Sequence, residues 1–256
     1  MSESANRTVS PGVLILRTTE NHLLNGRIAY TQPAAGFRTG IEPVLLSAAV
    51  PARRGERVLE GGAGAGAALL CLAARVAALQ GVGIDRDASL VALAAGNAAA
   101  NAATGLRFLT ADLTAAPVAG TFDHAMANPP YHAPEGTASP LPAREQAKRG
   151  GPELLAAWTR ALAAPLRHRG TLTLIVPAAT LPECLAAMNA GGCATRAILP
   201  LWPKPGLAAK LVIVQGVKGG RMPLRLLPGL VLHGGHGGYT EAADAILRGG
   251  GALALQ

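Results

Sequence analysis

Aromatic side chains are scarce: three Phe, three Tyr and two Trp make up 3% of 256 residues. So small a supply excludes an extended base-stacking platform of the single-strand-binding kind, but it leaves room for a site that handles one base. Cysteine is scarce too. Cys71, Cys184 and Cys193 are an odd number with no metal-ligand spacing, and they read as reduced thiols in a cytosolic protein. No apolar run approaches the roughly 18 residues of a membrane-spanning helix. Met1 to Pro11 is polar, reads as a loose tail, and lacks the basic-then-apolar layout of a signal peptide. A cytoplasmic location without membrane contact is the expectation. Negative charge is also in short supply. There are 15 Asp and Glu against 23 Lys and Arg, giving a formal charge of +8 and a pI near 10.1. That balance favours an anionic partner such as nucleic acid, although Ala- and Arg-rich proteins also follow from high-GC coding.

What is present is an alanine-rich chain, half hydrophobic and long enough for one core with a small appendage. Val13 to Arg17, Leu24 to Ala29 and Tyr30-Thr31 read as short strands, with Asn25-Gly26 as a hairpin signal. Pro43 suits the first turn of a helix running to about Val50. From residue 57 onward strands and helices alternate. The strands are Arg57–Leu59, Val82–Asp85, Leu106–Leu109 and Asp123–Ala127. The helices between them are Ala67–Ala78 and Ala88–Ala100, the second capped by Asp87. Pro152–Leu166 and Leu181–Ala190 read as further helices. Thr171–Val176 reads as a core strand, and Ala194–Leu199 with Leu211–Val217 as an antiparallel closing pair. Alternation of this kind predicts an α/β fold with a mostly parallel sheet. His233-Gly-Gly-His-Gly-Gly238 reads as a glycine-rich loop; two His without a carboxylate or Cys nearby are thin grounds for a metal site, and none is expected.

The functional signal lies where these strands end. Glu60-Gly-Gly-Ala-Gly-Ala-Gly66 follows the first core strand and opens a helix. Gly62, Gly64 and Gly66 remove side chains where backbone passes close to a ligand. Glu60 precedes the glycines, where a carboxylate suits an ammonium group and would repel phosphate. Asp85 follows about 20 residues on, the spacing of a group that binds ribose hydroxyls. Asp112 is placed to accept from an exocyclic amine. Asn128-Pro129-Pro130-Tyr131 is a stiff polar corner, because proline lacks an N–H and fixes φ. An amide oxygen beside a proline carbonyl offers two acceptors to the two hydrogens of a planar amine, and Tyr131 offers a ring to the group that carries it. Glu60, Asp85, Asp112 and Asn128 each close a strand of one βαβαβ series, which places them along one rim.

These motifs resemble those of class I S-adenosylmethionine-dependent methyltransferases of the amino-methylating branch. The resemblance narrows to the bacterial tRNA adenine-N6 methyltransferase family. Arg38-Thr-Gly-Ile-Glu-Pro-Val-Leu-Leu46, Ala143-Arg-Glu-Gln-Ala-Lys148, Leu211–Lys218 and Tyr239–Ala242 are similar to further segments of that family, so the likeness runs from about Leu24 to the C-terminus. It implies a Rossmann-like seven-stranded, mostly parallel sheet with one antiparallel strand and flanking helices. It also implies a β/α extension over residues 1–55 covering the cofactor site, and a core over 56–256. The cofactor implied is S-adenosylmethionine, held by Glu60, Gly61, Gly62, Gly64, Gly66, Asp85, Arg86, Asp112, Leu113 and Asn128. Asn128, Pro129, Pro130 and Tyr131 would form the catalytic corner. Tyr131, Arg144, Lys148 and Arg149 would meet RNA, tRNA foremost, from a segment read as a substrate loop between His132 and Gly151. Gly61 stands where the family usually carries an apolar residue, and Glu60 and Glu42 where aspartate is commoner. A protein glutamine N5-methyltransferase shares the corner, though such enzymes carry a longer helical N-terminal domain. A guanine-N2 rRNA methyltransferase, a catalytically silent RNA-binding module and a nicotinamide oxidoreductase are the other readings.

Overall fold

The computed structural model describes residues 17–35, 38–130, 151–235 and 237–255. Two strands, β1 (Thr18–Leu23) and β2 (Ile28–Pro33), pair antiparallel as a separate hairpin. Its turn holds Leu24, Asn25 and Gly26 at positive φ, which is the conformation the Asn-Gly pair signalled. The arms differ from expectation. The first runs through Asn21, and Leu24 belongs to the turn, so the second arm begins at Ile28 and continues to Pro33. The expected strand Val13–Arg17 lies outside the described residues except for Arg17.

Helix α1 (Glu42–Ala49) carries Pro43 in its first turn and leads into the core. The core then runs β3 (Arg57–Gly61), α2 (Ala67–Arg75), β4 (Gln80–Asp85), α3 (Ala88–Ala100), β5 (Leu106–Thr110) and β6 (Phe122–Ala127). It continues as α4 (Pro152–Ala163), β7 (Leu166–Pro177), α5 (Leu181–Ala190), β8 (Cys193–Trp202) and β9 (Leu211–Lys218). Two short strands, β10 (Arg225–Leu226) and β11 (Leu230–Val231), precede α6 (Glu241–Leu247). The sheet order is β10-β8-β9-β7-β6-β3-β4-β5, with β11 also on β8. The expected seven strands and the single antiparallel strand, β9, are present. The correction is at the outer edge, where β10 and β11 add two short parallel pairings to β8 and make the sheet nine-stranded.

Period-two alternation places each strand's side chains in two cores. Val58, Met126, Ile175 and Ile213 pack with α1 and α2 on one face. Leu59, Ala125, Leu174 and Val214 pack with α4 and α5 on the other. Leu45, Leu46, Leu69 and Leu72 are fully buried in the first core, each worth about 1.5–3 kcal/mol. Asp87 caps α3 by accepting from Ser89 N at 2.8 Å, so that helix starts at the expected residue. Two helices stop early. Helix α2 ends at Arg75, before Ala78 turns to positive φ. Helix α4 ends at Ala163, because Pro165 follows and Leu166 pairs with Phe122 as the first residue of β7. The three cysteines are free and buried. No described helix is long and apolar enough to cross a membrane.

Candidate active site at the carboxyl rim of the sheet

Strand register brings the predicted residues to one edge. Gly61 of β3 pairs with Ala127 of β6 on one side and with Ile84 of β4 on the other, while Asp85 pairs with Thr110 of β5. Four parallel strands therefore end together. The order across the sheet sets out Asn128, the glycine loop, Asp85 and then Asp112. Three strand spacings separate the first from the last, about 14 Å. Strands β4 and β5 lie on one side of β3 and strands β6 and β7 on the other, so the loop sits at the topological switch point where α/β folds bind ligands.

The loop is shaped by its glycines. Gly62 and Ala63 both donate to Ile84 O, at 2.8 and 3.1 Å. Gly62, Gly64 and Gly66 have φ of 66°, 54° and 87°, the left-handed region that side chains avoid. At Gly62 a Cβ would lie 2.7 Å from the Trp158 ring, and at Gly66 one would lie 2.9 Å from Phe108. At Gly64 it would meet nothing within 4 Å, so this turn faces open space. Gly61 is occupied from beneath, since a Cβ there would lie 2.7 Å from Leu113 Cδ2 and 3.2 Å from Leu162 Cδ2. Buried Leu113 thus packs under the loop and fills the volume an apolar residue at position 61 would take.

Asp85 holds the loop in place. Its Oδ2 accepts from Gly64 N at 2.9 Å and its Oδ1 from Asp87 N at 3.0 Å. Each carboxylate oxygen keeps a further lone pair, enough for two hydroxyl donors. Glu60 is only 4% exposed, and its Oε2 accepts from Leu69 N at 3.3 Å in the first turn of α2. Burial pushes its carboxyl well above the ordinary carboxylate range; the Leu69 N–H opposes this and nearby Asp85 adds to it. Asp112 is exposed, with Oδ1 accepting from both Thr114 N and Thr114 Oγ1 at 2.8 Å. Those bonds, with help from Arg86, hold its carboxyl below its ordinary range. Arg86 is exposed beside it. Asn128 and Pro130 are half-buried and Pro129 is buried, directly after the last residue of β6. Tyr131, Arg144, Lys148 and Arg149 lie outside the described residues.

Several supporting residues carry no motif. Trp158 of α4 closes over Gly62, and Phe108 of β5 backs Gly66. Buried Asn97 of α3 donates to Ala65 O at 2.9 Å and to Thr31 O at 2.8 Å, and accepts from Thr31 N at 2.8 Å. It ties the hairpin to the glycine loop. Tyr30 bonds Thr39 at 2.8 Å, and burial lifts its hydroxyl to about 12. The only sequence signal was a pair of Asn residues, 97 and 101, one turn apart in an alanine-rich helix. His233 stacks on Tyr239 with ring centroids 4.9 Å apart, and His236 lies outside the described residues.

The fold and this rim define a class I methyltransferase architecture. Residues 42–148 match the family described as the methyltransferase small domain. Protein Atu636 of Agrobacterium tumefaciens, described as a predicted O-methyltransferase, is similar in structure with a TM-score of 0.68 and 26% identity. That likeness covers 84% of this chain and 98% of the other. TrmN from Thermus thermophilus shares the fold with a TM-score of 0.50 and 23% identity, over 70% of this chain and 48% of that one. A comparison with curated proteins finds no match. Together the family match and the fold support a class I S-adenosylmethionine-dependent methyltransferase, and S-adenosylmethionine is its cofactor. The cradle suits that cofactor: an open backbone turn at Gly64, a carboxylate with lone pairs for ribose hydroxyls at Asp85, and a second carboxylate at the next strand end.

Proposed function

We propose that the protein methylates an exocyclic amine, N6 of an adenine in tRNA. The observation that carries this reading is the seating of Asn128-Pro129-Pro130 directly beside the glycine loop, through the pairing of Ala127 with Gly61. When bound, S-adenosylmethionine supplies an electrophilic methyl group on a sulfonium. The chain's own residues do the positioning. Asp85 accepts from the ribose hydroxyls, Asp112 from the adenine amine with Arg86 alongside, and Glu60, whose burial favours the protonated form, is ionised only when an ammonium group at the methionine end meets it. The Asn128 side-chain oxygen and the Pro129 carbonyl accept the two hydrogens of the target amine and orient its nitrogen. Tyr131 stacks on the target base once it has left its neighbours, and Arg144, Lys148 and Arg149 meet phosphates. The net charge of +8 supports an anionic substrate.

A second reading has its own support. The Agrobacterium protein, similar over nearly its whole length, is described as a predicted O-methyltransferase. A hydroxyl acceptor needs a base to take its proton, whereas the Asn128 amide oxygen and a proline carbonyl accept hydrogen bonds without being basic enough to take one; a methylated amine gives its extra proton to water after transfer. The corner therefore favours nitrogen. Methyl transfer from labelled S-adenosylmethionine to total tRNA, rRNA and a release-factor protein, followed by nucleoside and residue analysis, decides the matter. The reading predicts label as N6-methyladenosine in tRNA. Label on oxygen, on guanine N2 or on a glutamine amide would overturn it.

A further inference from the structure

The opposite edge of the sheet carries an unassigned concentration of charge. Strands β3, β6 and β7 begin there, and antiparallel β9 ends there, with Val217 paired to Thr171 and Lys218 to Cys193. This rim exposes Arg53, Arg54, Arg57, Arg167, Arg169 and Arg221. Position 221 joins the group through the turn after β9, where a Cβ at Gly219 would lie 2.7 Å from His168. Two carboxylates lie among these cations, and both are committed. Glu56 bonds His124 at 2.9 Å and Arg53 N at 2.8 Å. Asp123 bonds Arg57 N at 2.8 Å and pairs with Arg167 at 2.5 Å. Among the described residues no carboxylate lies within ion-pairing distance of Arg53, Arg54, Arg57, Arg169 or Arg221.

One of these arginines is held against its conformational preference. Arg169 sits at φ 68°, a left-handed conformation that glycine would adopt without steric cost, and its side chain is exposed. A strained backbone that presents a cation to solvent points to use of that cation.

We propose that this far rim is a second RNA-contact surface, gripping phosphates of a folded RNA whose target nucleotide enters the opposite rim. The inference rests on the reading of the protein as a tRNA methyltransferase, and it says how that RNA lies on the domain. The six residues of β6 separate the two rims by about 17 Å. An RNA that touches both must follow the flank of the domain, which a folded RNA does and an oligonucleotide of about three nucleotides, at roughly 3.4 Å per stacked residue, is too short to do.

The test compares the wild type with R54E/R169E/R221E in binding unfractionated tRNA and a short oligoadenylate across a salt series, with S-adenosylmethionine affinity as the folding control. Expected are a loss of roughly tenfold or more in tRNA affinity and a log–log salt slope shallower by about 2 to 3. Affinities for S-adenosylmethionine and oligoadenylate stay as in the wild type. Arg169→Gly alone raises the melting temperature while weakening tRNA binding. Unchanged tRNA affinity and slope in the triple variant, with a wild type that binds tRNA, overturn this inference alone. A wild type that shows no salt-dependent tRNA binding overturns the RNA reading as well. Retention on phosphatidylserine vesicles in place of tRNA assigns the rim to a membrane surface and overturns the proposal.

Discussion

A carboxylate removed from water costs stability unless a cation meets it, and Glu60 is such a group at the base of the glycine loop. Its folded pKa lies above the ordinary value of 4.5, so the folded chain binds the proton more tightly than the unfolded chain. The stabilising contribution is complete below that value and is lost as pH rises through the folded pKa. Glu60→Gln removes this loss. The cofactor-free variant should therefore gain more in melting temperature at pH 8 than at pH 4.5, while binding S-adenosylmethionine more weakly. Thermal scans and calorimetric titration check both halves; a variant that loses stability equally at both pH values would show that the charge is not what burial opposes. Gly61 illustrates the limit of reading residues singly. Its departure from the family pattern removes a side chain, but Leu113 and Leu162 occupy the space, and Leu113 is close enough that a Cβ would have to displace it.

At the scale of elements, the hairpin β1–β2 is held to the core by side chains that imitate a strand. Asn97 and Asn101, one turn apart on α3, each exchange two hydrogen bonds with the backbone of β2, at Thr31 and at Ala29. Asn97→Ala leaves the Thr31 amide and carbonyl and Ala65 O unpaired, which should cost about 1–3 kcal/mol. Hydrogen exchange should quicken at Thr31 and in the glycine loop more than in β7; uniform protection would contradict the latching role. Local chemistry made some boundaries readable. Asp87 fixed the start of α3, Pro43 the start of α1, and Asn25-Gly26 the turn. Other boundaries depend on tertiary pairing. Strand β7 starts at Leu166 because its register shifts against β6 between Phe122 and His124, and polar Arg167-His-Arg169 hid that strand from any apolar pattern. Strands β10 and β11 have two residues each, too short for a periodic signal. At the site, strand-end acids and the glycine spacing were legible because their chemistry is local. Trp158, Phe108 and Asn97 were not, because their part is set by what packs across the sheet.

For the whole molecule, the two rims of the sheet differ in chemistry. The carboxyl rim carries acceptors and open backbone, and the far rim carries cations around a small buried network. In that network His124 is nearly buried, with Nδ1 2.7 Å from Thr171 Oγ1 and Nε2 2.9 Å from a Glu56 oxygen. A neutral imidazole satisfies both contacts, donating from Nε2 and accepting at Nδ1. Burial pulls its pKa below 6.5, against the opposing effect of Glu56. The unfolded chain therefore binds the extra proton first, and stability present above about pH 6.5 is lost as pH falls through that value. Urea midpoints measured between pH 5 and 8 should fall on the acid side, and His124→Gln should flatten that fall; an unaltered profile would assign the acid loss to other groups. The central proposal is that at the other rim an amide and a proline carbonyl aim an amine. Its most direct test is single-turnover methyl transfer to tRNA by Asn128→Ala, with S-adenosylmethionine affinity measured on the same preparation. A rate reduced by about a hundredfold or more with cofactor affinity unchanged is the predicted result. A rate near that of the wild type would contradict the account.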